Sequence, residues 1–145
     1  MPWRSVAAGL LGFALWWFLF MAIGIAIGAL WPEYQEAARA MFEDGDLSLF
    51  VTPMLLANLF LFFVAGKVVG VVSTLVGKSQ IPAFVLATLF LIYAAINHFV
   101  LEWDQLPPWY NLIVPFVISG SIWLGSRIAI SRSEVSVREG RSGAV

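Results

Sequence analysis

The residues predict an all-α, integral membrane four-helix bundle with both termini cytoplasmic, and three observations carry that reading. The chain is 61% hydrophobic and 12% charged, with a mean hydropathy of +0.89. A soluble domain is about a quarter charged, so lipid must form part of the solvent here. The apolar residues fall into four runs of roughly 20 residues or more, and at 1.5 Å per residue each can cross a hydrocarbon core of about 30 Å. Finally, the basic residues gather on one side of the topology that four spans create, as they do on cytoplasmic flanks.

The first run covers residues 5–31. It is longer than the roughly 7–15 residues of a signal-peptide core and ends in Trp31-Pro32 without a small-residue cleavage site, so it reads as a retained, tilted helix. An acidic connection follows, with Glu33, Glu36, Glu43, Asp44 and Asp46 against Arg39. Pro32 suits a first helical position, and Tyr34, Ala38, Met41 and Phe42 recur at spacings of three and four. A short surface helix ended by Gly45 and an ordinary polar loop are both open for this segment. The second run covers 49–76, with Thr52-Pro53 expected as cap and first-turn proline. Gly77-Lys78-Ser79-Gln80 turns the chain into the third run, 81–101. Glu102 to Asp104 and Pro107-Pro108 precede the fourth, 109–130, where Pro115 removes the donor for the Asn111 carbonyl and predicts a kink. Residues 1–130 thus make one domain, and the Ser-, Gly- and Arg-rich tail at 131–145 is expected to be disordered.

Arg4, Lys78, Arg127, Arg132, Arg138 and Arg141 fall on one side of this arrangement, and Arg39 alone falls on the other. The termini and the tight turn are therefore expected in the cytoplasm and the two acidic loops outside. Trp3 marks one interface, and Trp31, Trp103, Trp109 and Tyr110 the other, as an aromatic belt would.

Several function classes drop out on residue type. A net charge of −1 offers nothing to nucleic acid. With no cysteine there are no disulfides, thiolate metal sites or thiol redox chemistry, and His98 is the single histidine. No Ser-His-Asp set, phosphate-cradling glycine loop or metal motif occurs. The first helix lacks the intramembrane carboxylate that small multidrug exchangers require. The chain is accordingly expected to be non-enzymatic, with no catalytic residues, cofactor or metal.

Two kinds of residue remain. Small residues spaced by four let helix backbones approach closely: Gly24 and Gly28 in the first run, Gly66 and Gly70 in the second, Ser121 and Gly125 in the fourth. Packing within the bundle and an oligomer seam are both consistent with them. The polar candidates are Asn58, Lys67, Asn97, His98 and Glu102. Lys67 stands where lipid is expected, at a cost of about 2.5 kcal/mol or more unless it reaches headgroups, water or a counter-charge. His98 and Glu102 are four residues apart on one helical face, as are Tyr93 and Asn97. An imidazole–carboxylate contact could relay a proton, or simply close a helix end by hydrogen bonding.

Arg4 before the first span, the Gly66-x-x-x-Gly70 segment and Trp109-Tyr110…Pro115…Gly125-x-Arg127-x-Ala129 resemble a group of small, functionally uncharacterised bacterial four-span inner-membrane proteins. The resemblance covers residues 4–130 and implies a bacterial inner membrane and no catalytic residues. The expected role is a structural or interaction component whose partners are the lipid bilayer and a second copy or another membrane protein. The alternative is a small transporter or channel with a polar path from His98 and Glu102 past Asn58 to Lys67.

Overall fold

The computed structural model describes the backbone of residues 2–142 and the side chains of residues 3–131. It contains five helices and, among the described residues, no strand: α1 (Pro2–Leu30), α2 (Pro32–Asp44), α3 (Thr52–Gly77), α4 (Ile81–Ile96, extended by a π-helical turn Asn97–Leu101) and α5 (Pro108–Ser142). Four of them are long and apolar enough to cross a membrane. α2 is the exception, with Tyr34 and Ala37 buried and its carboxylates exposed.

Local chemistry explains most of the boundaries. Trp31 is extended (φ −139°), so α1 stops one residue before the sequence predicts, and Pro32 starts α2. α2 ends at Gly45, whose φ of 69° is open to glycine without a Cβ clash and lets its N–H reach the Met41 carbonyl and the Asp46 N–H the Ala40 carbonyl. Val51, not Thr52, precedes α3, so Thr52 is its first residue and makes no cap hydrogen bond. Residues 49–51 belong instead to the loop, where Leu47 and Phe50 are buried and the Leu47 N–H reaches Gln105 Oε1 at 3.3 Å. That bond ties the α2–α3 loop to the α4–α5 loop. At the other end Lys78, φ 51°, takes the left-handed position while Gly77 stays helical. A Cβ on Gly77 would crowd Pro82, which accounts for the glycine there.

α5 passes through Pro115 and continues to Ser142. In the tail expected to be disordered from residue 131 the backbone is helical as far as Ser142, and residues 143–145 lie outside those described. Extending an existing helix avoids the nucleation cost, so a polar stretch that could not start a helix alone can prolong one.

The spans run up, down, up, down, and α3 and α5, which share the largest interface, are parallel neighbours. α1 lies against α3, α4 against α5, and α1 touches α4 less extensively. In lipid, apolar burial supplies little net drive between helices, so dispersion at close approach and hydrogen bonds must hold them. The α3–α5 interface is built for close approach. A Cβ on Gly66 would overlap Ser121, one on Gly70 the Ile122 carbonyl, and one on Gly125 the Lys67 carbonyl. Gly12 plays the same part between α1 and Ser73 of α3. The Gly24–Gly28 pair lies differently: nothing is within 4 Å of a Cβ at Gly24, and Gly28 faces Gln35 of α2, not a spanning helix.

Candidate functional site

Towards the acidic loops, the helices enclose a cavity of about 320 Å³. Its deep wall is apolar and aromatic: Trp16 of α1, Leu55 and Phe62 of α3, Phe90 of α4 and Tyr110 of α5. Trp16 stacks on Phe62 (5.9 Å between centroids) and tilts onto Phe90 (4.8 Å). Exposure rises at Trp17, Phe42 and Tyr93, which places the mouth among α1, α2 and α4.

One side of the cavity is polar, and its groups are hydrogen-bonded, as buried polar groups must be. The Asn111 amide donates to the Trp103 and Leu106 carbonyls at 3.3 and 3.2 Å, which fixes its oxygen as the group facing His98. His98 Nδ1 lies 3.0 Å from that oxygen and 3.2 Å from Glu102 Oε2. Both neighbours accept, so Nδ1 carries the proton. Nε2 makes no hydrogen bond to the described residues. On the adjoining wall the Tyr34 hydroxyl donates to Asn58 Oδ1, and the Tyr110 hydroxyl lies beside the same asparagine. Tyr34 belongs to α2, outside the spans, and burial pushes its pKa above the ordinary 10.0. In the neighbouring loop, the Ser48 side chain and N–H hold the Asp46 carboxyl below its usual range.

The π turn contributes to this geometry. The Glu102 N–H donates to the Asn97 carbonyl at 2.8 Å, an i→i+5 bond, so the turn is wider than an α turn. His98 and Glu102 therefore stand nearly in line at its end. Asn97 lines the cavity, while its own amide donates to the Tyr93 carbonyl at 2.8 Å.

Four of the five polar candidates, Asn58, Asn97, His98 and Glu102, thus meet at one cavity. Lys67 does not join them. It sits on the outer side of the α3–α5 interface with Nζ 5.1 Å from the Phe63 ring centroid, as Arg127 sits 5.3 Å from Trp123. An aromatic face one turn back along the helix is the partner the structure supplies, instead of a carboxylate. Tyr34, Tyr110 and Asn111 were not singled out by sequence reasoning. Tyr34 and Asn58 are 24 residues apart, and His98 and Asn111 are 13 apart across a turn, so only the tertiary fold brings them together.

The chain matches no protein-family model, no curated protein and no solved structure. Its fold defines it as a small multi-pass membrane protein, an all-α four-span bundle with one aromatic-walled, partly polar cavity.

Proposed function

We propose that this protein is a non-enzymatic structural or interaction component of a bacterial inner membrane, with both termini cytoplasmic. The observation that carries the reading is the state of α1. Its most apolar stretch matches that of α3 in hydropathy, 2.3 for both, yet 11% of it is buried within the chain against 39% for α3. The small residues of α3 and α5 are already engaged with each other, whereas Gly9 and Gly24 of α1 leave bare backbone open. Bare backbone on an apolar helix is where a second helix approaches most closely. The excess of Lys and Arg around the termini and the Lys78 turn supports the orientation.

The absence of cysteine makes the test direct. Single cysteines at Gly24 and at Phe18 are crosslinked in native membranes. A crosslinked species at Gly24 with silence at Phe18 is expected, and equal reaction at both, or at neither, ends this reading.

The transporter reading rests on the gathering of Asn58, Asn97, His98 and Glu102 at one cavity. The way from Asn58 towards Lys67 is filled by Leu61, Ala65, Val114 and Ile122, each at most 1% exposed. An impermeant thiol reagent that reaches Asn58→Cys from both faces of the membrane would favour a conduit. Reaction from one face alone matches a blind cavity.

A further inference from the structure

We infer that the cavity is a binding site for a lipophilic organic cation, a monovalent ion whose charge is carried among aromatic rings. The inference goes beyond the component role above and holds whatever covers Gly24.

Size comes first. About 320 Å³ falls at the lower end of the range of small-molecule sites and well above that of a bare ion. The walls then narrow the chemistry. Nine of the nineteen lining residues are aromatic, so any occupant meets mostly ring surface. A ring face is the negative pole of its quadrupole and attracts cations, most strongly where water is excluded. The charge inventory points the same way. Glu102 is the one carboxylate in the lining, and no lysine or arginine is present. Its side chain is 28% exposed, and its contact to His98 is through an Nδ1–H shared with Asn111. One carboxylate oxygen therefore remains for a positive occupant. A single carboxylate cannot replace the hydration shell of a small metal ion, whereas a bulky, weakly hydrated cation needs no such set.

The approach to the site agrees with its interior. Phe42, at the mouth, belongs to α2, which with its following loop carries Glu33, Glu36, Glu43, Asp44 and Asp46. Arg39 is the one basic residue there, and it is paired with Glu43 at 3.5 Å. Such a field concentrates cations at the mouth. Trp17 and Tyr93, half-exposed on α1 and α4, open the same mouth sideways at membrane depth, so an ion dissolved in the bilayer can enter without leaving it.

The test uses the full chain in an uncharged detergent, titrated calorimetrically with tetraphenylphosphonium, with empty micelles as the blank. Tetraphenylborate supplies the same four-phenyl shape with the opposite charge. Saturable one-to-one binding of the cation is expected, with the anion at least about tenfold weaker and Glu102→Gln weakening the cation by roughly tenfold. Tyr93→Leu, a rim substitution outside the core, is expected to weaken it about threefold and serves if Glu102→Gln does not fold. Absence of saturable binding, equal affinity for the borate, or unchanged cation affinity in a folded Glu102→Gln protein overturns the assignment.

Discussion

The two ends of the bundle are held together differently. Near the Lys78 turn the helices approach closely at glycines: Gly70 lies on the Ile122 and Ser126 backbone, Gly12 on the Ser73 side chain, and Gly77 on the Pro82 and Ala8 side chains. Near the acidic loops they stand further apart, and rings and hydrogen bonds span the gap: Trp16 with Phe62 and Phe90, Tyr34 with Asn58, Asn111 with His98. Close approach leaves only an open groove of about 360 Å³ beside α3 and α5, lined by Lys67, Val71 and Ile128 among others, whereas side-chain bridging creates the aromatic cavity. The same four helices therefore give a dry, closely packed end and an end that can receive a ligand, and the position of the glycines decides which is which.

The comparison breaks first at Gly70. Alanine normally favours a helix over glycine by about 1 kcal/mol, but here its Cβ would run into the Ile122 carbonyl and the Ser126 amide, both backbone and unable to swing aside. Gly70→Ala should lose about 3 kcal/mol of stability in detergent denaturation. Gly24→Ala, with open space around it, should lose nothing. Equal effects at the two sites would mean that close approach is not what holds the dry end.

At the polar end, Asn111→Ala strands the Trp103 and Leu106 carbonyls and leaves the His98 N–H to Glu102 alone. We expect a loss of about 2 kcal/mol. Hydrogen exchange should quicken at residues 102–107 and leave Gly66 to Gly70 protected. Exchange that quickens uniformly would show one cooperative bundle with no separable ends.

Tyr34→Phe should cost about 1 kcal/mol at neutral pH, because the Asn58 oxygen loses its donor. Its pH signature is more specific. The folded protein holds the Tyr34 proton above the ordinary pKa of 10.0, so above that pH the unfolded chain binds fewer protons than the folded one. Stability is therefore unaffected by this group below about pH 10 and falls as pH rises beyond it. Melting temperatures measured from pH 8 to 11 should show that fall reduced in Tyr34→Phe.

The smallest effect is at Lys78, which occupies a left-handed conformation that costs a residue with a Cβ about 1 kcal/mol. Lys78→Gly should gain roughly 0.5 kcal/mol, less than the strain relieved because glycine is more flexible when unfolded. A loss instead would show that the lysine side chain makes a stabilising contact at the interface.

The spans were legible because apolar length is a local pattern, and α2 with its Gly45 stop was one of two open readings, since spacings of three and four in a 13-residue polar segment fit a surface helix without excluding a loop. The Gly66–Gly70 pair was legible as a place of close approach, but its partner was not. Gly24–Gly28 has the same spacing and meets no transmembrane helix of this chain, because a glycine records that a backbone can be approached and not which helix arrives. Asn58, His98 and Glu102 stood out as polar residues in apolar runs. Tyr34, Tyr110 and Asn111 lie at interfaces where polar residues are ordinary, so nothing set them apart until the fold joined them. Lys67 stood out most and lies apart from the cavity. Part of its cost is offset by the Phe63 ring one turn away, a pairing its i−4 spacing could have suggested.

The π turn at Asn97–Leu101 also bears on how this chain could change in length. An i→i+5 turn is an α turn that has absorbed one extra residue without altering the helix before it or the loop after it. Val100, 72% exposed on its outer side, is the natural position for that surplus. A copy of the chain one residue shorter at Val100 could close this turn to regular α geometry while Trp103 and Leu106 still met Asn111. A one-residue deletion in this turn is therefore neutral to the fold, where the same event between Gly66 and Gly70 would shift the glycine contacts of α3 with α5 out of register.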